Sequence, residues 1–150
     1  MIGLLLVINK KDIKIVLNDI DKILNRSGFR FTKQRLIIAN EIFSKNPKHF
    51  TVQCIFKELI RKNKKVALAS VYNTINKFVE LEIIKEIYVD QNKSFFDTIT
   101  KPHHHIYDKS TGQLSDIPDG SVKISNLPDL PKGKKIQQIN IVINIENHSE

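Results

Sequence analysis

Three consecutive histidines, His103-His104-His105, are the densest chemistry in this sequence. Residues two apart on an extended strand project from one face, so His103 and His105 point the same way and His104 the other. Two imidazoles on one face suit a single divalent metal ion, and imidazole also serves as an axial ligand of haem. A polar strand with incidental imidazoles is the plainer reading of the same three residues. A small zinc hydrolase on this cluster would need an open coordination position and usually a nearby general base. No Glu flanks the cluster, which disfavours that class. The one cysteine, Cys54, has no partner in the chain; this fits a reducing compartment, and the residue reads as a small packed side chain. His148 reads as incidental.

A second group of residues suits a polyanion. Residues 1–102 hold 19 Lys+Arg against 10 Asp+Glu, while residues 103–150 hold 5 against 6. The net charge of +8 is therefore carried by the first part, which favours nucleic acid as a partner there. Ser70, Tyr72, Asn73, Asn76 and Lys77 fall within one helical stretch, and spacings of three and four group Asn73, Asn76 and Lys77. Asn suits adenine, Tyr a phosphate or a thymine methyl, and Lys a phosphate. Lys33, Arg35 and Lys93 are further candidates for the phosphate backbone, with ordinary surface charge as the alternative.

These side chains need elements to hold them. Ile13, Val16, Leu17, Ile20, Ile23 and Leu24 repeat at helical spacing, and Ser27-Gly28 should stop that helix. Thr32 can cap a second helix with Leu36, Ile37, Ile38, Ile42 and Phe43 inward; Asn46-Pro47 ends it. Thr51 can cap a third with Val52, Ile55, Phe56, Leu59 and Ile60 inward, followed by the polar link Lys62-Asn63-Lys64-Lys65. A fourth helix is predicted over Val66–Leu81. The β-prone runs Ile83–Val89 and Ser94–Ile99 flank a four-residue turn, Asp90-Gln91-Asn92-Lys93. Three close helices followed by a hairpin make a winged helix-turn-helix.

Lys101-Pro102 reads as a hinge. Beyond it, His103–Asp108 and Gln113–Ile117 flank Lys109-Ser110-Thr111-Gly112 as a second hairpin. A short helical turn is expected near Ser121–Asn126, and the alternation through Ile136–Ile145 predicts a half-buried strand. A layer this thin cannot bury a stable core alone, so a homodimer is expected. The reading is an α+β chain: a winged-helix DNA-binding domain over 1–98, a hinge over 99–102, and a small α/β dimerisation and effector-sensing domain over 103–150. The apolar run Ile2–Ile8 is too short to span a bilayer and lacks the features of a signal peptide. The cytoplasm is the expected location, with no membrane partner.

From Gly28 to about Ile145 the chain resembles the ferric uptake regulator family. Gly28-Phe29-Arg30-Phe31-Thr32-Lys33-Gln34-Arg35 is similar to the motif before its second helix, and Leu68-Ala69-Ser70-Val71-Tyr72-Asn73-Thr74-Ile75 to its recognition helix. The iron response regulator branch is the nearest likeness, through Phe96-Asp97-Thr98, His103-His104-His105, Leu114-Ser115-Asp116-Ile117-Pro118, Asn126-Leu127-Pro128 and Pro131-Lys132-Gly133. The resemblance implies a dimeric, non-enzymatic transcription regulator of iron, haem or divalent metal homeostasis, bound to an A·T-rich inverted repeat of double-stranded DNA. It implies a regulatory metal site of His49, at the start of the third helix, with Asp97, His103 and His105; Fe, Mn or Zn would fit. The branch's association with haem implicates His103, His104 and His105 instead. Many members carry two Cys-x-x-Cys pairs for a structural zinc. Here Asp108 and Thr111 stand at the first and no second pair exists, so a structural zinc held by four cysteine thiolates is excluded. The family usually has Arg where Asn73 stands, which implies an altered base preference. A winged-helix regulator without a working metal site is the alternative.

Overall fold

The computed structural model describes residues 10–44 and 49–148, with side chains from residue 17 onward. The expected helix end at Asn46-Pro47 and the run Ile2–Ile8 lie outside the described residues. The chain divides into two compact units, Met1–Ile87 with Ser94–Thr100, and Tyr88–Lys93 with Lys101–Glu150.

Among its described residues the first unit contains four helices: α1 (Lys10–Arg26), α2 (Lys33–Phe43), α3 (Val52–Arg61) and α4 (Leu68–Glu80). Thr32 and Thr51 cap α2 and α3 as expected, accepting from the N–H groups of Arg35 and Cys54 at 3.3 and 3.2 Å; each satisfies a donor that the first turn leaves open. Three of the helices end the same way. After α1, Phe29 N–H donates to Leu24 O and Gly28 N–H to Asn25 O; after α3, Lys64 to Leu59 and Asn63 to Ile60; after α4, Ile83 to Phe78 and Glu82 to Val79. This paired closure needs a left-handed residue, and Gly28, Asn63 and Glu82 supply it with φ of 73°, 54° and 55°.

The core of this unit is built from Leu24, Ile38, Ile42, Ile55, Leu59, Val71, Ile75 and Phe78, with Phe50, Ile84 and Phe96 joining it. Leu36 and Ile60, expected inside, are exposed. Each sits just outside the buried stripe of its helix, which runs through Ile38, Ala39 and Ile42 in α2 and through Val52, Ile55 and Leu59 in α3. Cys54 is also exposed rather than packed, because it lies between the inward Val52 and Ile55 on the solvent side of α3.

The hairpin is tighter than expected. Strand β2 (Lys85–Asp90) and strand β3 (Lys93–Asp97) leave a two-residue loop, Gln91-Asn92, in place of the four-residue turn. A short strand, β1 (His49–Phe50), pairs antiparallel with β3 and makes a sheet of order β1-β3-β2. The Phe50 and Phe96 rings stack at 5.8 Å across that pairing. His49 therefore stands on a strand, two residues before Thr51, the cap of α3, rather than at the start of the helix itself. The tip of the hairpin, Tyr88–Lys93, groups with the second unit.

The second unit holds β4 (His105–Asp108), β5 (Gln113–Asp116) and β6 (Val142–Ile145), in the order β5-β4-β6. β4 and β5 form the expected hairpin, while β6 runs parallel to β4. The predicted helical turn near Ser121–Asn126 is absent, as that stretch holds no helix. The predicted strand over Ile136–Ile145 shortens to its last four residues, because only Val142–Ile145 finds a partner in β4. Ile143 and Ile145 share one side of β6 and remain about half exposed.

Candidate metal centre and nucleic-acid interface

In the first unit the register of β1 on β3 sets His49 opposite Asp97. His49 Nε2 stands 3.5 Å from Asp97 Oδ2. The other carboxylate oxygen, Oδ1, accepts from Ile99 N–H at 2.7 Å, and Asp97 is fully buried. Burial pushes the Lys85 ammonium below its usual range, with the Asp97 charge opposing that fall.

In the second unit His103, His105 and Asp116 converge. The two imidazole rings are 4.4 Å apart, as the two-residue spacing predicts, although β4 begins at His105 and His103 lies just before it. Asp116 Oδ1 is 3.1 Å from His103 Nε2 and 3.5 Å from His105 Nε2. Asp116 was missed by sequence reasoning. The signal was present: a hairpin closing around residues 109–112 pairs Asp108 with Gln113 and hence His105 with Asp116.

The hydrogen bonds fix the chemistry of His103. Its Nδ1 lies 2.8 Å from Lys101 O. A carbonyl only accepts, so Nδ1 carries the proton and a neutral ring keeps its lone pair on Nε2. That lone pair then faces the Asp116 carboxylate at 3.1 Å. Two acceptors at this distance repel unless a proton or a cation lies between them. An imidazole whose second nitrogen is tied to a carbonyl is also the usual arrangement of a metal-bound histidine. Ligands about 2.0–2.1 Å from one tetrahedral centre stand about 3.3 Å apart, between the 3.1 and 3.5 Å observed here. The residues of this unit fit a divalent ion. His104 Nδ1 is buried without a hydrogen-bond partner among the described residues.

The nucleic-acid candidates fall into two groups. Along α4, Val71, Thr74, Ile75 and Phe78 are buried, while Tyr72, Asn73 and Asn76 are exposed and Ser70 and Lys77 are half-buried. The outward side is thus the polar one, held rigid by its buried opposite. Tyr72 is oriented by Gln53 of α3, whose amide donates to the phenol oxygen at 2.8 Å. Lys77 pairs with Glu80 at 2.7 Å. Lys33 is exposed at the start of α2, and Arg35 donates to Arg30 O at 2.6 Å. In the second unit, Lys93 donates to the Tyr107 hydroxyl at 2.7 Å. No described helix is long and apolar enough to cross a membrane.

Residues 26–144 match the sequence profile of the Ferric uptake regulator family. A ferric uptake regulation protein of Haemophilus influenzae is 27% identical over 103 residues, covering 68% of this chain and 70% of the relative. A peroxide-responsive repressor of Staphylococcus epidermidis is 31% identical over 94 residues, covering 63% and 62%. The fold is similar to the manganese-bound ferric uptake regulator of Pseudomonas aeruginosa, with TM-score 0.62 and 17% identity over 85% of this chain and 97% of the other.

Proposed function

This chain belongs to the ferric uptake regulator family, whose members are DNA-binding transcription regulators and not enzymes, and from that premise we propose how it senses and reads. It acts as a homodimer that binds an A·T-rich inverted repeat through α4 and is controlled by a divalent metal ion. His49, Asp97, His103 and His105 are the proposed ligands, with Asp116 as a fifth. The observation that carries the reading is the convergence of His103 Nε2 and His105 Nε2 on one Asp116 oxygen, at 3.1 and 3.5 Å, a spacing that the ligands of one divalent ion adopt.

A bound divalent ion would supply a fixed positive charge and a preferred geometry to its ligands. The chain does the rest. Lys101 O holds the His103 ring in one tautomer. Ile99 N–H turns the Asp97 carboxylate so that Oδ2 is the oxygen on the His49 side. Metal occupancy would be linked to DNA affinity. A carboxylate among the donors favours Fe, Mn or Zn over haem as the effector.

Within the family we place the chain nearest the iron response regulator branch, on the strings around Asp97, Asp116 and Pro128 and on its missing Cys-x-x-Cys pairs. The dimer is supported by the half-exposed Ile124, Leu127, Leu130, Ile136, Ile143 and Ile145, an apolar set that one protomer leaves in water.

The test is fluorescence anisotropy on an A·T-rich inverted repeat, titrated with Mn(II), Fe(II) and Zn(II) separately. The expected result is a metal-dependent change in affinity that His105→Ala abolishes while metal-free binding persists. An affinity indifferent to all three metals, in a chain that binds the duplex, would refute metal control.

A further inference from the structure

Two of the basic side chains meet on the ring of Phe29. The Arg35 guanidinium carbon lies 3.7 Å from its ring centroid and the Lys77 ammonium 5.7 Å. Arg35 comes from the first turn of α2 and Lys77 from the last turn of α4. One aromatic ring thus ties a cation from each of two helices. The ring itself is fixed: Phe29 N–H closes the end of α1 on Leu24 O at 2.9 Å, and the side chain packs against the core. Arg35 is held further by the Arg30 carbonyl at 2.6 Å.

We propose that Phe29 is a positioning residue for DNA binding, a rigid platform that presents Arg35 and Lys77 together to the phosphodiester backbone. The proposal rests on the DNA-binding reading above and adds a residue that touches no nucleic acid. A long cation left free must be ordered when it meets a phosphate, and that ordering opposes binding. Resting on the ring quadrupole, both cations are ordered beforehand, while the outer side of each keeps donors to give. Glu80 is the acidic neighbour in the arrangement, bonded to Lys77 at 2.7 Å. It screens Lys77 in the free protein and must release it to a phosphate.

The experiment is duplex binding by anisotropy over a series of salt concentrations, with thermal melting of each variant as a control. Arg35→Gln and Lys77→Gln should each lower the slope of log affinity against log salt by about 0.9, one phosphate contact apiece. Phe29→Leu keeps both charges and should weaken binding about two- to fivefold, and Phe29→Tyr, which keeps the ring face, should restore it. In the Phe29→Leu background Arg35→Gln should cost less than in the parent chain, because the platform is already gone. If Phe29→Leu does not fold, the Arg35→Gln and Lys77→Gln cycle with the ring in place still decides: the double variant should lose less than the product of the two single losses. Independent losses, or a Phe29→Tyr variant that binds no better than Phe29→Leu, overturn the platform alone. A parent chain that ignores duplex DNA at low salt overturns the DNA-binding reading, and the platform with it.

Discussion

The three helix ends make a graded test of backbone strain. Gly28, Asn63 and Glu82 occupy the same position of the same closing motif, with φ of 73°, 54° and 55°. The left-handed conformation costs an ordinary L-residue about 1–2 kcal/mol, Asn less, and Gly nothing. Replacing Glu82 with Gly removes that cost but frees the unfolded chain by about 0.5–1 kcal/mol. The net expectation is a gain of about 0.5–1 kcal/mol for Glu82→Gly. Asn63→Gly should gain less than about 0.5 kcal/mol, since Asn already tolerates the conformation. Gly28→Ala should lose about 0.5–1 kcal/mol, and the loss is purely conformational because a Cβ there meets nothing within 4 Å. Far-UV circular dichroism is the natural assay, since all four described helices lie in the first unit. Shifts in melting temperature of roughly 2–8 °C are expected, upward for Glu82→Gly and downward for Gly28→Ala. A Glu82→Gly variant that melts lower than its parent would show that the strain argument is wrong.

Further outcomes follow from the same geometry. Asp116→Ala should weaken Mn(II) or Zn(II) binding at least about tenfold by isothermal titration; unchanged affinity would remove Asp116 from the ligand set. Thr51→Ala should destabilise the first unit by about 1 kcal/mol in urea unfolding, through the lost cap on Cys54 N–H. For Asp108, burial pushes the carboxyl up, but hydrogen bonds from Ser110 and Thr111 outweigh it and leave the group below its ordinary value of 3.8. A folded value below the unfolded one contributes stability that is complete above 3.8 and is lost as pH falls through the folded value. Asp108→Ala should therefore flatten the acid limb of the stability profile, and an unaltered limb would contradict this. Asn73→Arg should shift base preference in a binding-selection assay; an identical selected sequence would deny Asn73 a role in base reading.

Much of this architecture was legible in the residues. Thr32, Thr51 and Gly28 mark helix boundaries by local chemistry, and local chemistry survives folding unchanged. In α4 the apolar spacing marks Val71, Ile75 and Phe78 as buried, while the fully buried Thr74 carries no apolar signal. What was hidden depended on partners distant in sequence. His49–Phe50 carries no strand signal of its own and becomes β1 only because β3 offers an edge. The alternation through Ile136–Ile145 is real, yet only four residues pair, since β4 is four residues long. Glu82 gives no turn signal, because the end of α4 imposes its conformation against the residue's preference. Asp116 could have been found by carrying the hairpin register three residues past the turn. The separation of Cys54 from the core turns on one residue of helical phase, which apolar spacing marks only weakly in a helix of ten residues.

The parallel pairing of β4 with β6 also braces the β4–β5 hairpin. His105 N–H bonds Ile141 O at 3.0 Å and Lys109 N–H bonds Ile145 O at 2.8 Å, so the strand that carries His105 is flanked on both sides only with the segment through Ile145 in place. Without that segment the β4–β5 hairpin has one edge bare, and the His105 and Lys109 N–H groups lose their carbonyl partners. Loss of β6 alone would leave the histidine pair and Asp116 on a two-stranded ribbon, which is marginally stable in water. An ion held by that ribbon would meet a looser cradle than the three-stranded sheet offers.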